Sequence, residues 1–181
     1  MQKLSTLKQI CKKFLKQKQE LMDIVIFGSV ARKKTKPNDV DVALIFRNKI
    51  DKELKQKLAK KIKNSHITEL TLKNISKQTL WKTLLHEGIS IKYNKKTSTM
   101  FGFKTKILIW YSLGKLNKSK KVQFSYALKG RDGKSGLLKK YNGIYLGKGS
   151  IMIPIEADDE FREFFINWKT PFNRRRILIE E

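Results

Sequence analysis

One stretch, FGSVARKKTKPNDVDVALIF at residues 27–46, restricts the possible folds more than any other part of the sequence. It opens with Gly28 and Ser29 and closes with an apolar run that carries Asp39 and Asp41, one residue apart. Because residues two apart in a strand point to the same face, both carboxylates are expected to project together while the intervening valines enter the core. Two crowded carboxylates repel each other unless a cation lies between them. The stretch therefore predicts a strand that presents a site for a divalent metal ion.

The Gly28–Ser29 pair predicts a phosphate-binding turn just before this strand. Glycine lets a ligand approach the backbone closely, and Ser29 offers both a hydroxyl and an N–H. An apolar strand over 23–27 is expected to stop at Gly28 and lead into a helix whose first N–H groups attract phosphate. A Gly-Ser pair or an Asp-x-Asp pair alone is common in proteins. Their occurrence in this order, within one short stretch, is what indicates a binding site.

The first half of the chain predicts alternating helices and strands. Apolar residues recur at helical spacing over 3–19, 51–64 and 77–86, and apolar runs predict strands at 23–27, 39–46, 67–72 and 89–93. Residues 1–93 are therefore expected to form an α+β domain with a mixed three- to four-stranded sheet flanked by helices.

The polar segment YNKKTSTM at 93–100 predicts a domain boundary, with a second domain over 94–181. Residues 94–150 contain 14 basic residues and 1 acidic residue, whereas 151–181 contain 5 basic and 7 acidic residues. Helical spacing over 104–116 and 119–128 precedes an apparent hairpin in GIYLGKGSIMIPIE, and a helix at 158–168 and a last strand follow. This order predicts a small basic α/β domain that resembles a winged helix.

The charge of the chain implies a polyanionic partner. Lys and Arg number 41 against 16 Asp and Glu, a formal net charge of +25, and nucleic acid is the commonest polyanion that proteins bind. A general excess of lysine in the source organism is the alternative. In the run 117–143, basic residues alternate with Phe124, Tyr126 and Tyr141, which could stack on unpaired bases or belong to the core. The basic residues expected to contact nucleic acid are Lys118, Lys120, Lys121, Lys129, Arg131, Lys134, Lys139 and Lys140.

Other features exclude several classes of protein. No apolar run approaches the about 20 residues that span a membrane, so no membrane association is expected and a soluble, cytoplasmic protein is predicted. The single Cys11 cannot form an internal disulfide and is expected in the core. The sequence does not indicate the oligomeric state.

Together, these motifs resemble the signature of the DNA polymerase beta-like nucleotidyltransferase superfamily, and more closely that of the minimal nucleotidyltransferases of archaea and bacteria. The residues that match the signature are Gly28, Ser29, Ala31, Arg32, Asp39 and Asp41. The resemblance extends over about residues 1–93, because family members place a third carboxylate on a later strand and then a helix that ends in Glu-Gly. Glu69 and the pair Glu87–Gly88 occupy those places here.

The resemblance implies transfer of a nucleotidyl group from NTP, with two Mg²⁺ ions as cofactors. Asp39, Asp41 and Glu69 are then the expected catalytic residues and metal ligands, and Gly28, Ser29 and Arg32 are expected to hold the NTP. The basic second domain points to a nucleic-acid end as acceptor, with RNA favoured over DNA. Two alternatives remain open: a nucleic-acid-binding protein on this fold with weak or lost catalysis, and a protein-modifying nucleotidyltransferase like the antitoxins of the family.

Overall fold

The computed structural model describes residues 3–32, 34, 37–131 and 135–180, which divide into two compact units. The first unit extends to Phe103 and the second runs from Lys104 to Glu180. This division comes later than the boundary that the polar segment after Tyr93 predicts. Residues 94–103 remain with the first unit because Lys95–Lys96 pairs with the preceding strand and the ring of Phe101 meets that of Trp81.

The first unit is built around a five-stranded sheet. Its elements are α1 (Leu4–Leu15), β1 (Leu21–Phe27), α2 (Gly28–Ala31), β2 (Val40–Phe46), α3 (Lys52–Lys61), β3 (Ser65–Thr71), α4 (Leu80–Glu87), β4 (Ile89–Ser90) and β5 (Lys95–Lys96). The strand order is β3-β2-β1-β4-β5, and β2 and β3 run parallel while β1 is antiparallel to both β2 and β4. The predicted α+β fold with a mixed sheet is confirmed, but the sheet has five strands where three to four were expected, because the short strand Lys95–Lys96 lies beyond the residues assigned to this domain.

Helices cover both faces of this sheet. Leu7, Cys11 and Phe14 form one buried stripe on α1, and they pack with Leu54 and Leu58 of α3 against the valines of β2. On the other face, Leu84 of α4 packs against β1 and β2 residues that include Val25 and Ile45. Because Val40 and Val42 face α1 and α3, the alternation of the strand turns Asp41 to the face that α4 covers.

The described residues of the second unit form a four-stranded sheet and three α-helices. Its elements are β6 (Phe103–Tyr111), α5 (Lys118–Lys129), α6 (Leu137–Lys140), β7 (Ile144–Gly147), β8 (Ser150–Pro154), α7 (Asp158–Asn167) and β9 (Phe172–Glu180). The strand order is β7-β8-β6-β9, and β8 is antiparallel to both β6 and β7. The hairpin, the tail helix and the last strand were expected from the sequence.

The helix predicted over 104–116 is wrong, and with it the winged-helix arrangement. That segment forms β6, one of the two inner strands of the sheet. Thr105, Ile107 and Ile109 are buried at every second position, which is the period of a strand, and their β-branched side chains favour extended backbone. Helical spacing could be found in the same run only because its apolar residues are dense.

Aromatic rings fill the core of the second unit. Phe124 of α5 and Phe165 of α7 are fully buried, and their ring centroids lie 6.0 Å apart. Phe161 of α7 packs in the same core with Ile107 and Ile153 of the sheet.

Within the described part of the chain, no helix has both the length and the apolar character needed to cross a bilayer.

Candidate metal and nucleotide site

Asp39 and Asp41 flank the first residue of β2. Val40 between them is fully buried, so the two carboxylates project from the opposite side of the strand start. Asp41 is partly buried, whereas Asp39 precedes the strand and its side chain is about 39% exposed. The sequence prediction that the two side chains share a face agrees with this arrangement.

The strand β1 leads directly into the Gly28–Ser29 turn beside Asp41. Phe27 is the register partner of Asp41, and Gly28 follows with a left-handed φ of +71°. A Cβ at Gly28 would collide with Oδ2 of Asp41 and would lie 3.1 Å from its Cγ, so only glycine fits here. The Oγ atom of Ser29 is buried, and among the described residues it has no hydrogen-bond partner. The turn therefore carries an unsatisfied hydroxyl on the residue that follows the contact between Gly28 and Asp41.

His66 completes a group of three potential ligands with these aspartates. The parallel register of β2 and β3 aligns His66 with Asp41, so the two side chains lie on one face of the sheet. Nδ1 of His66 lies 3.3 Å from Oδ2 of Asp39 and 3.8 Å from Oδ1 of Asp41. His66 is not among the ligands expected from the sequence, because only the register between two strands distant in sequence brings it to the aspartates.

The crowding of these carboxylates has an electrostatic consequence. Partial burial raises the pKa of Asp41 above its ordinary value, and the negative charge of Asp39 raises this pKa further. The nearby His66 and Arg32 act in the opposite direction. A cation between the two carboxylates would remove the repulsion that raises this pKa.

The donor set fits a divalent ion. One donor atom from each of Asp39, Asp41 and His66 lies within 4.8 Å of the other two. Two ligands at right angles on an ion with bonds of about 2.1 Å are about 3 Å apart, so small side-chain rotations suffice to bring all three onto one ion. The observation supports a metal site on this chain's own residues.

Glu69 does not lie with the aspartates, contrary to the assignment that the family resemblance suggested. Its register partner on β2 is Leu44, which faces α1 and α3, so Glu69 points to the opposite face from Asp41. Its Oε2 is 3.3 Å from Nζ of Lys55 on α3. It lines a separate cleft there with residues that include Phe46 and Lys52.

Arg32 follows the turn and is already paired. Its guanidinium binds the carboxylate of Glu87, the last residue of α4, and the side chain of Glu87 is almost completely buried. The pair connects the Gly28–Ser29 turn to the helix that covers Asp41. Arg32 therefore positions the turn, and its Nε atom is buried without a hydrogen-bond partner among the described residues.

The basic residues predicted to contact nucleic acid are spread over the second unit. Lys118, Lys120 and Lys121 are exposed on the first turn of α5, which Asn117 caps by accepting a hydrogen bond from the Lys120 N–H at 2.9 Å. Three more, Arg131, Lys139 and Lys140, are exposed, and Lys129 is half-buried. Lys134 lies outside the described residues.

The aromatic residues of this unit divide into core and surface. Phe124 belongs to the core, and Tyr141 is half-buried with its ring 6.0 Å from that of Phe161. Tyr126 is exposed, and the guanidinium of Arg131 lies 5.4 Å from its ring centroid. Tyr145 on β7, which the sequence did not single out, is also exposed. The centroid of its ring lies 4.6 Å from Nζ of Lys129.

A comparison with protein families finds a match in the first half of the chain. Residues 9–97 match the polymerase beta nucleotidyltransferase family. No curated protein sequence is significantly similar to the chain.

Two solved structures are among those to which the chain is similar. A toxin–antitoxin structure with AMP-PNP is 18% identical at a TM-score of 0.37, with 52% of this chain and 86% of the other covered. A structure of tri-AMPylated Shewanella oneidensis HEPN toxin in complex with MNT antitoxin is 19% identical at a TM-score of 0.35. This likeness covers 54% of this chain and 85% of the other.

Proposed function

Because residues 9–97 belong to the polymerase beta nucleotidyltransferase family, we propose that the protein transfers a nucleotidyl group from NTP to the end of a nucleic acid, with RNA favoured over DNA. The observation that carries the proposal is the grouping of Asp39, Asp41 and His66 beside the Gly28–Ser29 turn. A phosphate-binding turn beside a cluster of metal donors is an arrangement that can hold a triphosphate together with its divalent ions.

Each residue of the site has a separate task in this proposal. The Gly28 backbone and the Ser29 hydroxyl bind phosphate oxygens, and Arg32 holds the turn in place through Glu87. Asp39 and Asp41, with His66, would hold divalent ions, for which the family resemblance implies two Mg²⁺. A divalent ion supplies neutralisation of the phosphate charge and alignment of the reacting oxygens. Glu69, which the resemblance made the third ligand, has no part in the proposed site.

The proposed reaction is a nucleophilic displacement at the α-phosphorus of NTP. An acceptor hydroxyl oxygen forms a bond to this phosphorus, and the bond from the phosphorus to the α,β-bridging oxygen breaks. Pyrophosphate leaves, and the hydroxyl proton passes to solvent. The chain's contribution is to hold the triphosphate and the acceptor in line, which is where most of the catalysis of phosphoryl transfer arises.

The second unit supports a nucleic-acid acceptor. Lys118, Lys120 and Lys121 lie in the first turn of α5, which contains no acidic residue. Cations at a helix N-terminus oppose the helix dipole and cost typically about 0.3–1 kcal/mol each, so these lysines do not serve the helix itself. Phosphate groups would offset that cost. The exposed rings of Tyr126 and Tyr145, each with a basic partner, are suited to stacking on unpaired bases.

Replacing Lys118, Lys120 and Lys121 together with glutamine is expected to weaken binding of single-stranded RNA to the full-length protein. Each phosphate contact adds about 0.7 to the slope of log K against log salt for single strands, so the slope should become shallower by about 2. The measurement is fluorescence anisotropy of a labelled oligonucleotide between 50 and 200 mM salt.

The matched control replaces Lys12, Lys13 and Lys16, which are exposed at the end of α1 in the first unit, with glutamine. This triple variant has the same net charge as the test variant. Equal losses of affinity in the two variants would show that only overall charge matters, and the assignment of the acceptor surface to α5 would be wrong.

Replacing Glu69 with glutamine is expected to leave nucleotidyl transfer within about threefold of the unmodified protein, because Glu69 faces away from Asp41. The change removes a partly exposed ion pair with Lys55, which contributes about 0–1 kcal/mol to stability. Initial rates of transfer check the expected activity, and thermal unfolding checks the expected stability. A loss of transfer comparable to that from changing Asp41 would restore Glu69 as a catalytic residue.

The proposed function is tested by supplying the purified full-length protein with each α-³²P-labelled NTP, divalent ions, and either total cellular RNA or total cellular protein. Label in RNA is the expected result. Label in protein alone would replace the proposal with a protein-modifying nucleotidyltransferase. No label in either pool, together with intact RNA binding, would favour a nucleic-acid-binding protein without catalysis.

A further inference from the structure

The third donor at the metal site is an imidazole where the family resemblance led to the expectation of a carboxylate. Asp41 is aligned with His66 across the parallel β2–β3 pair, and Glu69 lies three positions further along β3 on the opposite face. Within the described ranges, the one group of potential metal ligands is Asp39, Asp41 and His66. The site thus offers two carboxylates and one imidazole.

We propose that His66 is a metal ligand and that this site selects first-row transition ions such as Mn²⁺ over Mg²⁺. The proposal rests on the metal site of the proposed function and does not depend on transfer itself. His66 is well placed for the role because Nδ1 lies close to one oxygen of each aspartate. Its side chain is about 75% exposed, so the ring can turn without disturbing the core.

The chemistry of the donors carries the selectivity. Mg²⁺ binds oxygen ligands in octahedral geometry and retains several waters, so it gains little from an imidazole nitrogen. Imidazole suits transition ions such as iron, nickel and zinc, and the affinity of a site that contains nitrogen increases along the first row from Mn²⁺ through Co²⁺ and Ni²⁺, so Mn²⁺ is the weakest binder of the series. A third carboxylate would have added a negative charge that attracts every divalent ion. With histidine as the third ligand, Mg²⁺ does not gain this additional attraction, whereas a transition ion gains a nitrogen ligand that it binds well.

The alternative role of His66 is an ion pair, in which a protonated ring neutralises Asp39 and Asp41 without binding metal. The two roles make opposite predictions. Removing a ligand weakens metal binding, whereas removing a positive charge beside two carboxylates strengthens binding of every divalent ion. Variants of an exposed residue on β3 can separate the roles with little risk to the fold, because His66 is outside both cores of the first unit.

The test measures binding of Mn²⁺ and of Mg²⁺ to the full-length protein in the absence of nucleotide, by electron paramagnetic resonance of free Mn²⁺ and by Mg²⁺ competition. His66→Ala is expected to weaken Mn²⁺ binding by about tenfold or more, which is the scale of effects at metal sites, and Mg²⁺ binding by less than about threefold. His66→Asp is expected to improve Mg²⁺ binding and reduce the preference for Mn²⁺ by about tenfold. Thr68→Ala, on the same strand and exposed, is the matched control and should change neither affinity.

A spectroscopic measurement identifies the ligand directly. Electron spin-echo envelope modulation of bound Mn²⁺ is expected to show coupling to an imidazole ¹⁴N in the unmodified protein and in Thr68→Ala, and none in His66→Ala. Absence of ¹⁴N coupling in the unmodified protein, or tighter binding of both ions by His66→Ala, would overturn the proposal. Loss of nucleotidyl transfer with the ¹⁴N coupling intact would count against the proposed function and leave the histidine ligand standing.

Discussion

Replacing Asp41 with asparagine is expected to abolish nucleotidyl transfer while the fold is retained. Losing a residue that only hydrogen-bonds to a metal ligand already lowers metal affinity or activity by about 10- to 100-fold. Removing a ligand itself should therefore reduce the rate of transfer by more than about 100-fold. Stability should be unchanged or slightly higher, because Asp41 is crowded by Asp39 and one of two repelling charges disappears. Initial rates with labelled NTP and thermal unfolding without metal measure the two effects.

Asp51→Asn is the matched control for this variant. Asp51 caps α3 by accepting a hydrogen bond from the Leu54 N–H at 3.0 Å, and asparagine caps helices equally well. Its ion pair with Lys18 is partly exposed and contributes little. The control should therefore transfer nucleotide normally. Substantial transfer by Asp41→Asn would remove Asp41 from the proposed site.

Replacing Gly28 with alanine is expected to abolish transfer and also to destabilise the first unit. The left-handed backbone at this position costs an alanine about 1–2 kcal/mol. The added methyl group would also collide with the Asp41 carboxylate, and forcing neighbours to move typically costs about 1–3 kcal/mol more. Chemical denaturation measures the loss of stability, and Mn²⁺ binding reports the displacement of Asp41.

Gly102→Ala separates the two causes. Gly102 has a similar φ of +77°, but a Cβ there would meet no atom within 4 Å. This variant should lose only the part of the stability that comes from backbone strain and should keep metal binding and transfer. Equal behaviour of the two alanine variants would show that contact between Gly28 and Asp41 has no role in the site.

The turn and the aspartate pair could be predicted because each depends on residues close together in sequence. The break at Gly28 and the alternation around Val40 are local properties of the chain, and local properties fix where β1 ends and which way the aspartates point. The same reasoning predicted the buried stripe of α1. These parts of the site needed no knowledge of how strands pair.

The third side chain beside the two aspartates could not be predicted, because its position depends on strand register. Glu69 and His66 lie on one strand, three residues apart, and either could have faced Asp41 until the pairing of β2 with β3 was known. A shift of one residue would have reversed which side chains face α4. Because carboxylates are the usual ligands of Mg²⁺, the sequence favoured Glu69. The strand register instead places His66 beside the aspartates.

The second unit was predicted less well because its apolar residues are dense rather than periodic. The run FKTKILIWY permits helical spacing, yet its buried residues alternate. Length did not decide between the two, because nine residues suit a helix or a strand equally. The position of β6 between β8 and β9 resolves the ambiguity.

The central claim is that Asp39, Asp41 and the Gly28–Ser29 turn together bind NTP with a divalent ion. Calorimetric unfolding of the full-length protein with and without NTP and Mn²⁺ tests it most directly, because a ligand that binds only the native state stabilises it by about 2.7 kcal/mol at 100 times its Kd. We expect NTP to raise Tm in the unmodified protein, the increment to vanish with EDTA, and the Asp39→Ala, Asp41→Ala double variant to lose most of it. Unchanged Tm at millimolar NTP and Mn²⁺, or an increment that the double variant retains in full, would contradict the claim.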